Sequence, residues 1–287
     1  MDVWCSATEV GRSLAAGEVS ATEITGAFIE RGRAVEDRIH AYLAPTFERA
    51  LEEARAADDR RARGEARSGV DGIPLAYKDV FVTKGVASTS GSKILEGWVP
   101  PYDATLVARC SGAGLPMLGK CDMDEFAMGS SGENSGFGSA RNPWDTDRVP
   151  GGSSSGPAAL VAAGGAPWAW GTDTGGSVRQ PAALCGIVGV KPTYGRISRY
   201  GMIAFASSLD QASPFARTVE DAATLLQIAC GHDPMDSTSI PDDVPNFLEG
   251  IDSGIRGMRI GVVKEFQGEG AQPGVRTRVD EAYTRLE

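Results

Sequence analysis

Two glycine-serine loops hold the densest chemistry in this 287-residue sequence. The first, Gly151-Gly152-Ser153-Ser154-Ser155-Gly156, runs into Pro157 and a small apolar stretch at 158–163 of helical composition. Pro157 suits the first turn of a helix, where its missing N–H is not needed. The second, Gly171-Thr172-Asp173-Thr174-Gly175-Gly176-Ser177, follows a short apolar run at 167–170 and precedes another helical stretch at 178–184. Glycines just ahead of a helix leave free N–H groups converging on one point, which favours an anion or a developing oxyanion. A serine placed there is a candidate nucleophile.

A serine nucleophile needs a base, and histidine is nearly absent. The two histidines are His40, in an N-terminal helix, and His232, in a Gly-Asp-Pro loop; each reads as a structural or surface residue. HExxH, paired metal ligands and GxGxxG are missing, which leaves serine with lysine as the most economical pairing. Lys78 lies in the strand-like run at 73–82, where alternation puts it on one face with Ala76, Val80 and Val82 and turns Asp79 to the other face beside Tyr77 and Phe81. A lysine that snorkels to solvent from a strand end is the plainer reading of that pattern. A catalytic Lys78 must instead be desolvated, because an ordinary lysine, of pKa roughly 10.4, is almost never neutral near pH 7. Cys185 is the other possible nucleophile, but its apolar flanks suit a buried hydrophobe better.

The elements that must position these groups follow from periodicity. Residues 6–64 read as helices, with capping-box spacing at Ser20 and Glu23, a stripe of Ile24, Phe28, Val35 and Ile39, and a charged helix at 51–63 that reads as a solvated face. Strands are expected at 73–82, 115–119, 167–170, 187–190 and 259–263, with helices at 103–112, 218–230 and 275–287. Trp168 and Trp170 share a strand face and read as core. The final helix lacks a C-cap signal, so the sequence reads as truncated. The segment from Gly114 to Cys121 nearly spells a Walker A loop, but Cys121 replaces the Ser or Thr that would hold magnesium and the glycines flank a strand.

Composition narrows the function classes. The 37 glycines are nearly double the usual ~7%, and they cluster between Gly112 and Gly201 without a period, which indicates functional loops. A net charge of -10 argues against direct non-specific nucleic-acid binding, which needs clustered Lys and Arg. Five scattered cysteines suit a reducing compartment, and no run approaches membrane-spanning length. A cytoplasmic protein that does not engage membrane is expected.

Lys78, the Gly151-Gly152-Ser153-Ser154 loop and the run Asp173-Thr174-Gly175-Gly176-Ser177-Val178-Arg179 together resemble the amidase signature family. Spacing agrees with identity. The segment Met123-Asp124-Glu125-Phe126-Ala127-Met128-Gly129-Ser130-Ser131 and the run from Lys191 to Gln211 are most similar to the A subunits of glutamyl-tRNA(Gln)/aspartyl-tRNA(Asn) amidotransferases. The resemblance implies an α/β amidase-signature fold, a mixed β-sheet between helical layers with its C-terminal part missing. It implies an N-terminal helical segment over 1–66 and a catalytic core over 67–287. It makes Ser177 the acylated nucleophile, Ser153 a bridging serine beside a cis peptide, and Lys78 the base. Residue chemistry alone does not choose Ser153 over Ser154 or Ser155. The backbone N–H groups of Thr174, Gly175, Gly176 and Ser177 would form the oxyanion hole, with Met128, Ser130 and Asp173 as substrate contacts.

The implied activity is hydrolysis of glutamine to supply ammonia. B and C subunits would complete the enzyme, tRNA would bind through the B subunit, and ATP and Mg2+ would act there. No cofactor or metal is expected in this chain. A stand-alone amidase of small amides and a non-catalytic scaffold or channel subunit stay open as alternatives.

Overall fold

The computed structural model describes residues 2–267 and 270–287. The chain opens on α1 (Ala7–Ala16) and α2 (Ala21–Ile39), both started by capping boxes. The Ser6 and Ser20 hydroxyls accept from the N–H groups of Glu9 and Glu23, whose carboxylates accept in return from the serine N–H groups. Further N–H groups at each start are taken by a distant carboxylate: Asp221 accepts from Ala7 and Thr8, and Asp58 from Ala21 and Thr22. Two helix N-termini are thereby tied to the rest of the fold by charge-assisted bonds.

The helical reading of 6–64 misses β1 (Tyr42–Pro45), which pairs antiparallel with β3 (Met117–Cys121). Four residues ending in proline carry no strand signal, and Pro45 is tolerated because β1 is an edge strand. After it, α3 (Phe47–Ala62) buries Phe47, Ala50, Ala54 and Ala57 and leaves its charged residues outward, so the helix expected to be a solvated face also packs a stripe of small residues.

The sheet continues through β2 (Leu75–Lys78), β4 (Trp168–Asp173), β5 (Val188–Gly189) and β6 (Gln211–Ala216). Its order is β1-β3-β2-β4-β6-β5, with β2 parallel to both β3 and β4 and the remaining pairs antiparallel. It is therefore a mixed sheet, as expected. Strand β6 has no counterpart among the expected strands, because Pro214 within it disguises the pattern. The core holds Trp168, Trp170, Tyr77, Phe81 and Phe215, each at most 1% exposed.

Helices α4 (Thr105–Gly112), α5 (Ser155–Ala162), α6 (Arg179–Cys185) and α7 (Val219–Ala229) complete the unit. All eight residues of α5 are buried, and it packs on β2, β3, β4 and β6. A helix enclosed on every side must be built of small apolar residues, which its sequence supplies.

The chain divides into two compact units, Met1–Leu248 and Glu249–Glu287. The first runs across residue 66 without a break. The second contains α8 (Pro273–Leu286), matching the helix expected there. The strand expected at 259–263 is not formed: the segment is irregular and pairs with no strand among the described residues. Apolar periodicity does not make a strand without a partner to take its N–H and C=O groups. No described helix is long and apolar enough to cross a membrane.

Candidate active site

Strands β2 and β4 lie side by side and parallel, so their carboxyl ends meet at one edge of the sheet, where α/β sheets present their ligand-binding loops. Lys78 is the last residue of β2 and Asp173 the last of β4. The Ser153 loop enters α5 and the Ser177 loop leaves β4 toward α6, so both glycine-serine loops face that edge.

Lys78 is fully buried, with Nζ 2.7 Å from Ser153 Oγ and 2.8 Å from Thr172 Oγ1. It does not snorkel, because β2 is an interior strand flanked by β3 and β4. Burial pushes its pKa down to about 7 against the opposing pull of the Asp124, Asp210 and Asp173 carboxylates. A substantial neutral fraction then exists at physiological pH, and Nζ donates to the hydroxyl oxygens of Ser153 and Thr172.

The three adjacent serines separate by their partners. Ser153 meets the lysine, and the Gly152–Ser153 peptide is cis, as the resemblance implies. The Ser154 hydroxyl donates to the Thr172 carbonyl and accepts from the Thr172 N–H, and its own N–H donates to the Ser177 carbonyl at 3.3 Å. Ser155 faces the Asp122 carbonyl at 3.5 Å. Ser154 is thus a staple between the two loops. The loops approach so closely that a Cβ at Gly171 would lie 2.8 Å from Ser154 Oγ.

Ser177 is half-buried at the edge of a cleft of about 470 Å³, lined also by Met128, Ser130, Gly152, Gln180 and Phe205. Its hydroxyl makes no hydrogen bond to the described residues, and its N–H and those of Thr174 and Gly175 are likewise unpaired among them. The Gly176 N–H donates to Asp173 Oδ1 at 2.8 Å. Three of the four N–H groups expected to form an oxyanion hole are therefore free, and the fourth is engaged. Met128 and Ser130 line the cleft. Asp173 does not: it is buried beneath the loop, accepting from the N–H groups of Gly176, Val178 and Arg179 and from the Arg179 guanidinium. Burial pushes its carboxyl up, but Arg179 and these N–H groups outweigh burial and hold it below the usual carboxylate range. These bonds tie it to the Ser177 loop.

The family model described as Amidase matches residues 23–287. The chain belongs to the amidase family. It is 58% identical to the A subunit of glutamyl-tRNA(Gln) amidotransferase from Thermobifida fusca, over 98% of its own length and 57% of that protein. It is 55% identical to the protein of the same name from Streptomyces coelicolor, again over 98% of this chain and 57% of that protein. Among solved structures it resembles the A subunit of glutamyl-tRNA(Gln) amidotransferase from Thermotoga maritima, with a TM-score of 0.87 and 40% identity, over 100% of this chain and 60% of that one. It also resembles peptide amidase from Stenotrophomonas maltophilia, with a TM-score of 0.81 and 38% identity, over 84% of this chain and 51% of that one. The chain thus spans somewhat more than half the length of the curated relatives it matches.

Other residues of the chain take clear places. Cys185 is buried, its thiol pushed up to about 12 by burial, with Sγ donating to the Pro150 carbonyl. That is the packing role its flanks suggest. His40 ends α2 and His232 lies in an exposed loop; neither lines the cleft. Lys120, the lysine of the near-Walker segment, is fully buried 2.9 Å from Asp79 and donates to Ser88 Oγ, so it is committed to the interior. No group of three or more His, Cys, Asp or Glu among the described residues is placed to hold a metal.

Thr172, Asp124 and Gln180 are absent from the residues that sequence reasoning selects. The alternation that pairs Trp168 with Trp170 puts Thr172 on the Tyr77 face of the sheet, so its contact with the Lys78 amine at the strand end carries no signal in the pattern. Gln180, whose Oε1 accepts from the Gly152 N–H and whose Nε2 donates to the Ser130 carbonyl, carries no sequence signal for either contact.

Proposed function

We propose that this amidase hydrolyses the side-chain amide of glutamine and works as the glutaminase subunit of a tRNA-dependent amidotransferase, converting Glu-tRNA(Gln), Asp-tRNA(Asn) or both. The observation that carries the reading is the buried Lys78 amine against Ser153, with the Ser177 loop stapled alongside through Ser154. The names of the curated relatives support the amidotransferase setting.

In this mechanism neutral Lys78 accepts the Ser153 hydroxyl proton as Ser153 accepts that of Ser177. Ser177 Oγ attacks the carboxamide carbon, and the free N–H groups of Thr174, Gly175 and Ser177 receive the negative charge on the carbonyl oxygen. Collapse of the tetrahedral intermediate breaks the C–N bond, the relay returns its proton to nitrogen, and ammonia leaves an acyl-enzyme. Water entering by the same relay releases glutamate. Ammonia then passes to a B subunit, where ATP and Mg2+ activate the acyl-tRNA, with a C subunit completing the assembly in the cytoplasm. The acidic charge of this chain suits a subunit that leaves tRNA to its partner.

The test is glutamine-dependent ammonia release by the assembled enzyme and its Ser177→Ala variant. Loss of release with retained assembly supports the reading. Unchanged release by Ser177→Ala would favour a scaffold, and turnover of small amides without partners or preference for glutamine would favour a stand-alone amidase.

A further inference from the structure

Asp124 lies where the cleft wall, the cis peptide and the buried lysine converge. It is 0% exposed, in the segment after β3. Its backbone N–H donates to the Ser153 carbonyl at 3.2 Å. Its carboxylate accepts from the N–H of Gly132 at 3.0 Å and of Asn134 at 3.1 Å, which ties down the loop whose Met128 and Ser130 line the cleft. Oδ2 lies against Gly152: a Cβ there would come within 2.0 Å of it. Only glycine at 152 admits the carboxylate to this position.

A charge held this way acts on its surroundings. Around Lys78 stand three carboxylates, Asp124, Asp210 and Asp173, and of these Asp124 has the largest influence. The other two have local duties: Asp173 is matched by the Arg179 guanidinium, and Asp210 accepts from the Thr174 hydroxyl and from the N–H groups of Phe205 and Ala206. Asp124 accepts from backbone N–H groups and faces no cation in an ion pair among the described residues.

We propose that Asp124 is a positioning residue for the amidase reaction, pinning the Met128–Ser130 wall to the Gly152–Ser153 loop. Its carboxylate also favours the ammonium form of the buried Lys78. One residue thereby sets both the shape of the cleft and the pH at which the relay becomes competent. The inference rests on the Ser177 mechanism above.

Asp124→Asn separates charge from shape. The amide oxygen at the Oδ1 position retains the acceptor for Gly132 and Asn134, while the negative charge is gone. Removing a carboxylate lowers the lysine pKa further, so the neutral base persists to lower pH. A one-unit fall would raise its neutral fraction at pH 6 about fivefold.

The readout is the pH dependence of Ser177 phosphonylation by a fluorophosphonate, in which Ser177 Oγ displaces fluoride, with the modified residue identified by mass spectrometry in the intact protein. The expected result is a rising limb centred near pH 7 in the parent protein and at lower pH in Asp124→Asn. Asp124→Ser, which leaves space instead of an added donor, should move the limb the same way, so one folded variant suffices. Asp122 is the control, because burial pushes its carboxyl up to about 7; Asp122→Asn should leave the limb in place. An unmoved limb in a folded, Ser177-labelled Asp124 variant overturns this inference alone. Failure of the parent protein to label at Ser177 at any pH overturns the catalytic reading and this inference with it.

Discussion

The Lys78 amine approaches the Ser153 hydroxyl to 2.7 Å with both residues fully buried. Burial disfavours the charged form here, and the neutral amine keeps this hydrogen bond without carrying charge into the interior. The contact also joins two elements, β2 and the loop before α5, that share no local sequence relationship.

Breaking the contact at the serine should cost the relay and leave the fold. Ser153→Ala removes one hydroxyl beside Lys78 and leaves the Ser154 staple intact. The expected loss in kcat/KM for glutamine is at least roughly a thousandfold, with a double Ser153→Ala/Ser177→Ala variant little worse than either single one. Steady-state rates beside thermal melting curves check this; additive losses would show that the two serines do not act as a unit.

The lysine also makes a stability prediction whose sign is fixed. Its folded pKa, about 7, lies below its unfolded value of roughly 10.4. Between those values the unfolded chain binds more protons, so this group makes the fold more stable as pH rises, and its cost is fully present below pH 7. Lys78→Met removes that dependence. The stability of the parent relative to Lys78→Met should rise from pH 7 to pH 9, by up to about 1.4 kcal/mol per pH unit, measured by urea unfolding. A flat difference would mean that the lysine is not strongly shifted.

The Lys120–Asp79 pair should behave as a buried ion pair with no part in the reaction. Both side chains are at most 1% exposed, and Asp79 Oδ2 also accepts from the N–H and hydroxyl of Thr89. Lys120→Met leaves a buried carboxylate without its cation and should destabilise by about 3–5 kcal/mol. Adding Asp79→Asn should recover part of that loss, which a double-mutant cycle in denaturant would reveal.

Cys185→Ala separates serine from cysteine chemistry. The thiol is buried and its pKa is pushed up to about 12, so it holds essentially no thiolate near neutral pH. Glutaminase activity should stay within about twofold of the parent, with a stability loss of about 1 kcal/mol from the missing packing. A collapse of activity comparable to Ser177→Ala would contradict the serine mechanism.

The sequence by itself determined the chemical inventory and most of its local geometry. Two glycine-serine loops, each leading into a helix of small residues, and a shortage of histidine made serine with lysine the most economical pairing; these follow from residue type and near-neighbour spacing, where short-range sterics and hydrogen bonding decide. Capping at Ser20 was legible for the same reason. What depends on distant partners was not. Whether Lys78 reaches solvent or Ser153 is settled by β3 and β4 flanking its strand. Ser153 differs from Ser154 only in what the folded chain brings to each, a lysine amine in one case and the backbone of Thr172 and Ser177 in the other. The run at 259–263 has the pattern of a strand but no ladder partner among the described residues. Asp173, expected among the substrate contacts, is buried and accepts from the N–H groups of Gly176, Val178 and Arg179. In each case the deciding term is burial or pairing across the fold, and only the tertiary structure supplies it.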